Sequence, residues 1–309
     1  MASVTLAESA KLAQDELVAG VIENVITVNE MFELLPFDGI DGNALAYNRE
    51  NALGDVQMAG VGSTITAKAA ATFTQVTSTL TTIIGDAEVN GLIQATRSGD
   101  GNDQKAVQIA SKAKSCGRKY QDQMINGDGT GANMTGMLGL VAAGQTISAN
   151  NGAANGAPLS FEDLDALIDL VTDKDGQVDY LMMNGRTRRA YLALLRALGG
   201  TSPGDIYTMA SGRQVPAYRG IPIFRNDWIP INQTTGTSTN TTTVFAGTLD
   251  DGSRSHGIAG LTAERMAGIN IKEVGEKEDA DESITRVVWY CGLALFNEKG
   301  LAALEGVTN

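Results

Sequence analysis

The sequence predicts a mixed α+β protein whose long projections need a neighbour to bury them. Three observations carry that expectation. Helix-like and strand-like segments follow one another without the regular βαβ rhythm of a doubly wound sheet. A Thr- and Ala-rich ribbon between Asn43 and Asp86 alternates as a strand pair does, yet holds few large apolar residues. An N-terminal helical stripe (Leu6, Ala10, Ala13, Leu17, Val21, Val25) has no apolar partner close by in sequence.

In chain order, the stripe ends where Pro36 and Gly39 break it, which makes residues 1–42 an arm. Ala44 to Arg49 opens the ribbon, glycines 54, 60 and 62 turn it, and Phe73 to Ile84 brings it back. Glu88 to Thr96 reads as a short helix. Asp103 is then the N-cap of a longer helix running to Met124. That helix carries Lys105, Lys112, Lys114, Arg118 and Lys119 against Asp103 and Asp122, the chief basic concentration in the chain. It is either a solvated face or a surface for an anionic partner.

A glycine-dense turn from Asn126 to Gly139 comes next, followed by a polar linker from Ser148 to Pro158. Ser160 and Asp163 have capping-box spacing and start a helix through Leu170. Val178 to Met183 has the composition of a buried strand. Arg186 to Leu198 reads as a helix with Leu192, Leu195 and Leu198 inward, stopped by Gly199 and Gly200. Ile221 to Phe224 and Thr243 to Ala246 read as strands, separated by a loop from Gln233 to Asn240. Ile269 to Val274, an acidic turn from Glu276 to Glu282, and a long strand from Ile284 to Phe296 follow.

The formal net charge of −13 over 309 residues excludes a protein that wraps nucleic acid across its whole surface, while leaving room for local basic patches. Cys116 and Cys291 form no CxxC pair and read as reduced thiols of a cytosolic protein. Glu8, Lys11, Asp15 and Glu16 rule out a signal-peptide core over residues 2–20. No apolar run approaches the ~20 residues of a membrane span.

The motifs with a chemical reading do not hold together. Gly127-Asp-Gly-Thr-Gly-Ala132 fits the loose dinucleotide pattern GxGxxA, but a helix precedes it where a strand is required, and no Lys follows for a P-loop. Asp173-Lys-Asp-Gly176 lacks the flanking ligands of a calcium loop. His256 is the only histidine and has no nucleophile motif beside it. Glu276 to Glu282 reads as a solvated acidic turn. The sequence therefore assigns no catalytic residue, no metal site and no cofactor.

The order of features is itself informative. The arm, the Thr-rich hairpin and the long helix lead to the Gly-Asp-Gly-Thr-Gly turn and then to Gly136, Met137 and Leu138. Asp179-Tyr-Leu-Met-Met-Asn184, Arg219-Gly-Ile-Pro-Ile223 and Val244-Phe-Ala-Gly-Thr248 follow. Over nearly the whole chain this order resembles the major capsid protein of tailed bacteriophages, with the fold named after phage Hong Kong 97. The resemblance implies an N-terminal arm (1–42), an extended E-loop (43–85) and a peripheral P domain (86–145) with a spine helix at about 103–124. An axial A domain (146–262), returning P-domain strands (263–296) and a C-terminal segment (297–309) complete it.

It further implies a structural protein, not an enzyme, that assembles in the host bacterial cytoplasm into hexamers and pentamers of an icosahedral virion head. Implied partners are many copies of itself, a portal, a separate scaffolding protein, a cement or decoration protein and packaged double-stranded DNA, with no membrane. Lys105, Lys112, Lys114, Arg118 and Lys119 would then face the DNA. Some family members cross-link an E-loop Lys to an Asn of a neighbour. Lys68 is the only lysine in this hairpin, and Val274 to Ser283 holds no Asn, so a non-covalent shell is expected. The alternatives are an encapsulin-like compartment, which shares the fold and encloses proteins, and a nucleotide-binding enzyme using the glycine turn.

Overall fold

The computed structural model describes residues 31, 34–98, 103–173, 176–197, 206–209 and 212–309. The expected helical stripe of the arm lies outside the described residues, as do Leu198, Gly199 and Gly200. The described chain opens with strands β1 (Phe37–Ile40), β2 (Ala44–Ala52), β3 (Thr72–Thr79) and β4 (Thr81–Asn90). Helices α1 (Gly91–Arg97) and α2 (Gln104–Asn126) follow, then β5 (Thr146–Ser148), α3 (Phe161–Thr172), β6 (Tyr180–Met183) and α4 (Gly185–Ala197). Next come β7 (Ile206–Thr208), β8 (Gln214–Tyr218), β9 (Ile221–Arg225), β10 (Gln233–Thr235) and β11 (Ser238–Gly247). The last four strands are β12 (Ile258–Ala263), β13 (Asn270–Glu276), β14 (Glu282–Leu295) and β15 (Leu301–Val307).

These strands form two sheets and a ribbon. The smaller sheet is built on β14, which pairs antiparallel with β4 from Glu282 to Cys291. On its other edge it takes β13 from Ser283 to Val288 and β12 from Cys291 to Leu295. Strand β1 then adds parallel to β12. The larger sheet runs β5-β15-β11-β6-β9-β8-β7, with β10 on β11. It mixes parallel pairs (β15 with β5, β6 with β9) and antiparallel ones (β11 with β15 and β6), as expected of an α+β fold. The ribbon is the hairpin of β2 and β3, paired from Ala44 with Thr79 to Ala52 with Thr72.

Helix α2 lies across the smaller sheet. Cys116, Tyr120 and Met124 recur every fourth residue and are buried together with Ile125, so one stripe faces β14. Tyr120 packs on Trp289 at 4.6 Å between ring centres, and Phe37 of β1 meets both rings at 5.7 and 5.9 Å. The Tyr120 hydroxyl donates to the Gly292 carbonyl at 3.2 Å. The same core continues into the larger sheet through Tyr180, Met182, Phe224 and Phe245. A second core holds α3 and α4 on that sheet through Leu164, Leu167, Ile168, Val171 and Tyr191.

Several expectations need correction. Glu88 to Asn90 are not helical: they extend β4 opposite Ile284, Ser283 and Glu282, because the long strand β14 offers them a ladder. The helix starts at Gly91, with the Asn90 side chain accepting from the Leu92 amide at 3.0 Å. Gly39 does not end the arm but sits inside β1. The expected loop from Gln233 to Asn240 is largely the β10–β11 hairpin. In α4 the fully inward residues are Thr187 and Tyr191, with Leu192 and Leu195 half-buried. Strand β15 has no counterpart in the sequence reading, yet it lies inside the larger sheet between β5 and β11 and is almost wholly buried. The caps at Asp103 and Ser160 are as expected: Asp103 accepts from the Lys105 amide at 3.0 Å, and Ser160 from the Asp163 amide at 3.1 Å.

The glycine turn ends α2 and folds back on itself. The Gly127 amide donates to Gln123 O, that of Gly129 to Met134 O and that of Gly136 to Gly127 O. The Asp128 carboxylate accepts from Thr130 Oγ1 at 2.6 Å, Asn133 Nδ2 at 2.9 Å and the Thr130 amide at 3.1 Å. Those three donors hold the Asp128 carboxyl down at about 2.

The turn can be probed in two ways. A Cβ at Gly127 would lie 2.1 Å from the Met134 carbonyl oxygen, whereas one at Gly131 (φ +61°) meets nothing within 4 Å. Gly131→Ala is expected to cost only the left-handed backbone, about 1–2 kcal/mol. Gly127→Ala should cost clearly more in the same urea titration, because backbone must shift. The second probe is pH. A carboxyl depressed on folding stabilises the native state above its unfolded pKa, and that contribution is lost as pH falls from about 4 to about 2. Thermal unfolding of Asp128→Asn should therefore fall less steeply across that window than wild type; equal slopes would refute the assignment.

Candidate functional site

Among the described residues, the hairpin holds the main concentration of large apolar side chains left exposed by the chain itself. Leu53, Val56, Met58, Val61, Ile65 and Phe73 are all exposed, a concentration of apolar side chains that an isolated soluble subunit does not keep in water without a use. The tip is nevertheless ordered by one side chain. Gln57 Oε1 accepts from the Thr66 amide at 2.7 Å, the Thr66 hydroxyl at 2.7 Å and the Ala67 amide at 2.9 Å. Its Nε2 donates to Thr64 O at 3.1 Å. Asp55 N–H closes the neck on Ala69 O at 3.0 Å. Lys68 is exposed in the same segment.

At its base the hairpin is fastened to the body. Leu45, Tyr47 and Leu80 pack on a small core of Ile40, Ala259, Leu261, Ala294 and Phe296. Tyr47 meets Phe296 edge-on at 5.2 Å and donates its hydroxyl to the Leu295 carbonyl at 2.7 Å. Arg49 donates to the carbonyls of Leu295 and Phe296. Sequence reasoning found the ribbon through its Thr alternation, but missed Gln57, Tyr47 and Arg49, whose roles depend on partners about ten or about two hundred and fifty positions away.

The five cations of α2 do not stand as one free patch. Lys105 pairs with Glu273 of β13, holding that carboxyl below its usual range. Lys112 runs beside Gly85 and helps to lower the Asp86 carboxyl, whose main partner is the Arg286 fork at 2.7 and 2.8 Å. Lys119 pairs with Asp122 at 3.2 Å. Arg118 lies over the Trp228 ring at 5.3 Å, and the indole N–H donates to Gln121 at 2.9 Å, which ties α2 to the loop after β9. Lys114 is half-buried.

The remaining chemistry is structural. The amides of Gly127, Gly129, Thr130, Asn133 and Gly136 are all spent inside the glycine turn or on the end of α2, so they form no phosphate cradle. His256 borders an open groove of about 590 Å³ with Asp173, Asp179, Asp251 and Lys299. Ser255, Ser253 and Asp251 all approach its Nδ1, at 2.7, 3.4 and 4.0 Å. A relay needs the nucleophile hydroxyl on one ring nitrogen and the orienting carboxylate on the other, which this arrangement does not provide. Cys116 and Cys291 are buried thiols, and burial pushes Cys291 up to about 12, far from a reactive thiolate. Among the described residues no His, Cys, Asp and Glu side chains group as metal ligands, and no helix is long and apolar enough to cross a membrane.

The family model of the type 2A encapsulin shell protein, SrpI-like, matches residues 103–308, two thirds of the chain. No curated protein matches. Among solved structures, the holo-SrpI encapsulin complex from Synechococcus elongatus PCC 7942 superposes with a TM-score of 0.74 at 17% identity, covering 99% of this chain and 96% of that one. The Cyanophage A-1(L) capsid gives 0.70 at 11% identity, covering 97% and 98%. The capsid of the native GTA particle gives 0.65 at 13% identity, covering 99% of each chain. Mixed α+β architecture and the Hong Kong 97-like fold are thus established, and with them a structural, shell-forming protein that is not an enzyme. The resemblance to phage capsids is right about the fold, but the family match lies with the encapsulin-like shells that the sequence reading places second. The chain belongs to the SrpI-like type 2A encapsulin shell protein family.

Proposed function

We propose that many copies of this chain close into an icosahedral compartment in the cytoplasm that encloses protein cargo. The encapsulin family match over residues 103–308 is the observation that carries this reading. The exposed apolar hairpin supports it: Val56, Met58 and Val61 gain burial when they lie on the next copy. In this reading the hairpin is the E-loop. The smaller sheet with α2 is the P domain and the larger sheet with α3 and α4 the A domain. Strand β12, expected in the A domain, then goes with the P domain, and β15, expected in a separate C-terminal segment, with the A domain. Individual contacts are modest, and their simultaneous engagement around a closed surface makes the shell strong.

A second reading, a phage head with a portal, a scaffolding protein and packaged double-stranded DNA, is favoured by the capsid structures that match along almost the whole chain. There Lys105, Lys112, Lys114, Arg118 and Lys119 would meet phosphate non-specifically. The ion pairs of Lys105 with Glu273 and of Lys119 with Asp122 weigh against a strong DNA surface.

Electron microscopy of particles purified from the native source, with their protein and nucleic-acid content measured, separates the two. Closed shells holding a second protein and no DNA are expected; DNA-filled shells would overturn the cargo reading. Val61→Asp is expected to prevent assembly while leaving the far-UV circular dichroism of the subunit unchanged. Denaturing electrophoresis of intact shells should run the shell protein as a single band at the subunit mass, apart from any cargo band, since the acidic loop between β13 and β14 offers Lys68 no Asn; a ladder of covalent oligomers would refute a non-covalent shell.

A further inference from the structure

The hairpin is a lever. Strand β2 has nine residues, about 30 Å at ~3.3 Å per residue, before the tip begins. Among the described residues, the hydrogen bonds of residues 53–71 stay inside the hairpin, so the tip carries no fastening of its own to the body. One side of the lever is continuous with the body, because β3 passes into β4 with only Leu80 between them. The other strand, β2, follows β1 after Asp41, Gly42 and Asn43, and two short joints of this kind leave an angle that contacts at the base of the hairpin must hold. Leu45, Tyr47 and Leu80 seat the base on its small apolar core, which resists separation without fixing a direction. Among the described residues, the directional polar contacts from β2 to the body are those of Tyr47 and Arg49.

Those two residues act differently. The Tyr47 hydroxyl makes one bond to the body, to the Leu295 carbonyl at 2.7 Å, and one bond is a pivot. Arg49 reaches two successive carbonyls, Leu295 O and Phe296 O (the latter at 3.0 Å), with the Glu298 carboxylate 4.0 Å away. Its guanidinium also lies 5.6 Å from the centre of the Tyr47 ring. A planar fork on two acceptors fixes an angle as well as a distance. The side chain is only 19% exposed, and both acceptors lie where β14 ends and its ladder no longer supplies donors.

We infer that Arg49 is the positioning residue that sets the direction of the hairpin against the body, and through it the curvature at which copies close. The inference rests on the shell reading above. In a closed shell each tip must land on the same place of the next copy, and head-to-tail contacts close only when the rotation between copies is right. A small tilt at Arg49 is magnified along the hairpin into a much larger displacement at Val61. The geometry therefore assigns to this residue the uniformity of the particle, not the stability of the subunit.

The test compares wild type, Arg49→Ala and Arg49→Lys by negative-stain electron microscopy for particle diameter, and by circular dichroism and thermal melting for the subunit fold. Lysine keeps the charge and the aliphatic stem but loses the fork, so it remains informative where alanine is insoluble. Both variants are expected to keep the wild-type spectrum while giving mixed diameters or open sheets, with only a minority of particles at the wild-type size, lysine less severely than alanine. Uniform wild-type particles from both variants would overturn the inference and leave the shell reading intact. Absence of particles from the wild-type protein would sink the shell reading, and this inference with it.

Discussion

The packing of α2 on β14 is the constraint from which the rest of the structure is built. Strand β14 is fourteen residues long and pairs with three others, so its position decides where β4, β12 and β13 can lie. It cannot hold that position as a bare sheet, because one face is lined with Val287, Trp289, Cys291 and Leu293 and must be covered. Helix α2 supplies the cover through Tyr120, Met124 and Ile125, and Phe37 completes it from β1. Buried aromatic rings of this size are among the largest single contributions a core receives. Because this core also reaches Phe224 and Phe245, the two sheets share one interior.

A rigid body is what allows a projecting ribbon to serve as a precise contact. The hairpin continues into β4, β4 is laddered to β14 over ten residue pairs, and β14 is held under α2. Tip order comes from Gln57, base order from Tyr47 and Arg49, and neither needs a neighbouring copy. The subunit thus presents its apolar tip already shaped. Preorganisation of this kind lowers the entropy lost on association, which lets a contact of modest area be specific.

The electrostatics follow the same division of labour. An overall acidic chain keeps several of its cations where they tie elements together. Lys105 joins α2 to β13, Arg286 joins β14 to β4, Arg118 joins α2 to Trp228, and Arg254 joins its loop to Asp38 at 3.1 Å. Such exposed or half-exposed pairs add little stability individually. Their effect is to fix which surfaces face each other. Of the five cations on α2, Lys105 and Arg118 make such contacts between elements, and Lys119 pairs with Asp122 on the same helix.

The sequence by itself determined the features that depend on local chemistry. The caps at Asp103 and Ser160, the extent of α2, the Thr alternation of the hairpin and the glycine turn were all legible, because each is set by residues within a turn or two of one another. The order of those features carried the fold, while the choice between a genome-enclosing and a cargo-enclosing shell did not lie in any of them. Only the tertiary structure decided that Glu88 to Asn90 are strand, that β15 fills the place between β5 and β11, and that Arg49 reaches the end of β14. In each case the deciding partner is a backbone group far away in sequence, and hydrogen bonding to it outweighs what the local residues prefer.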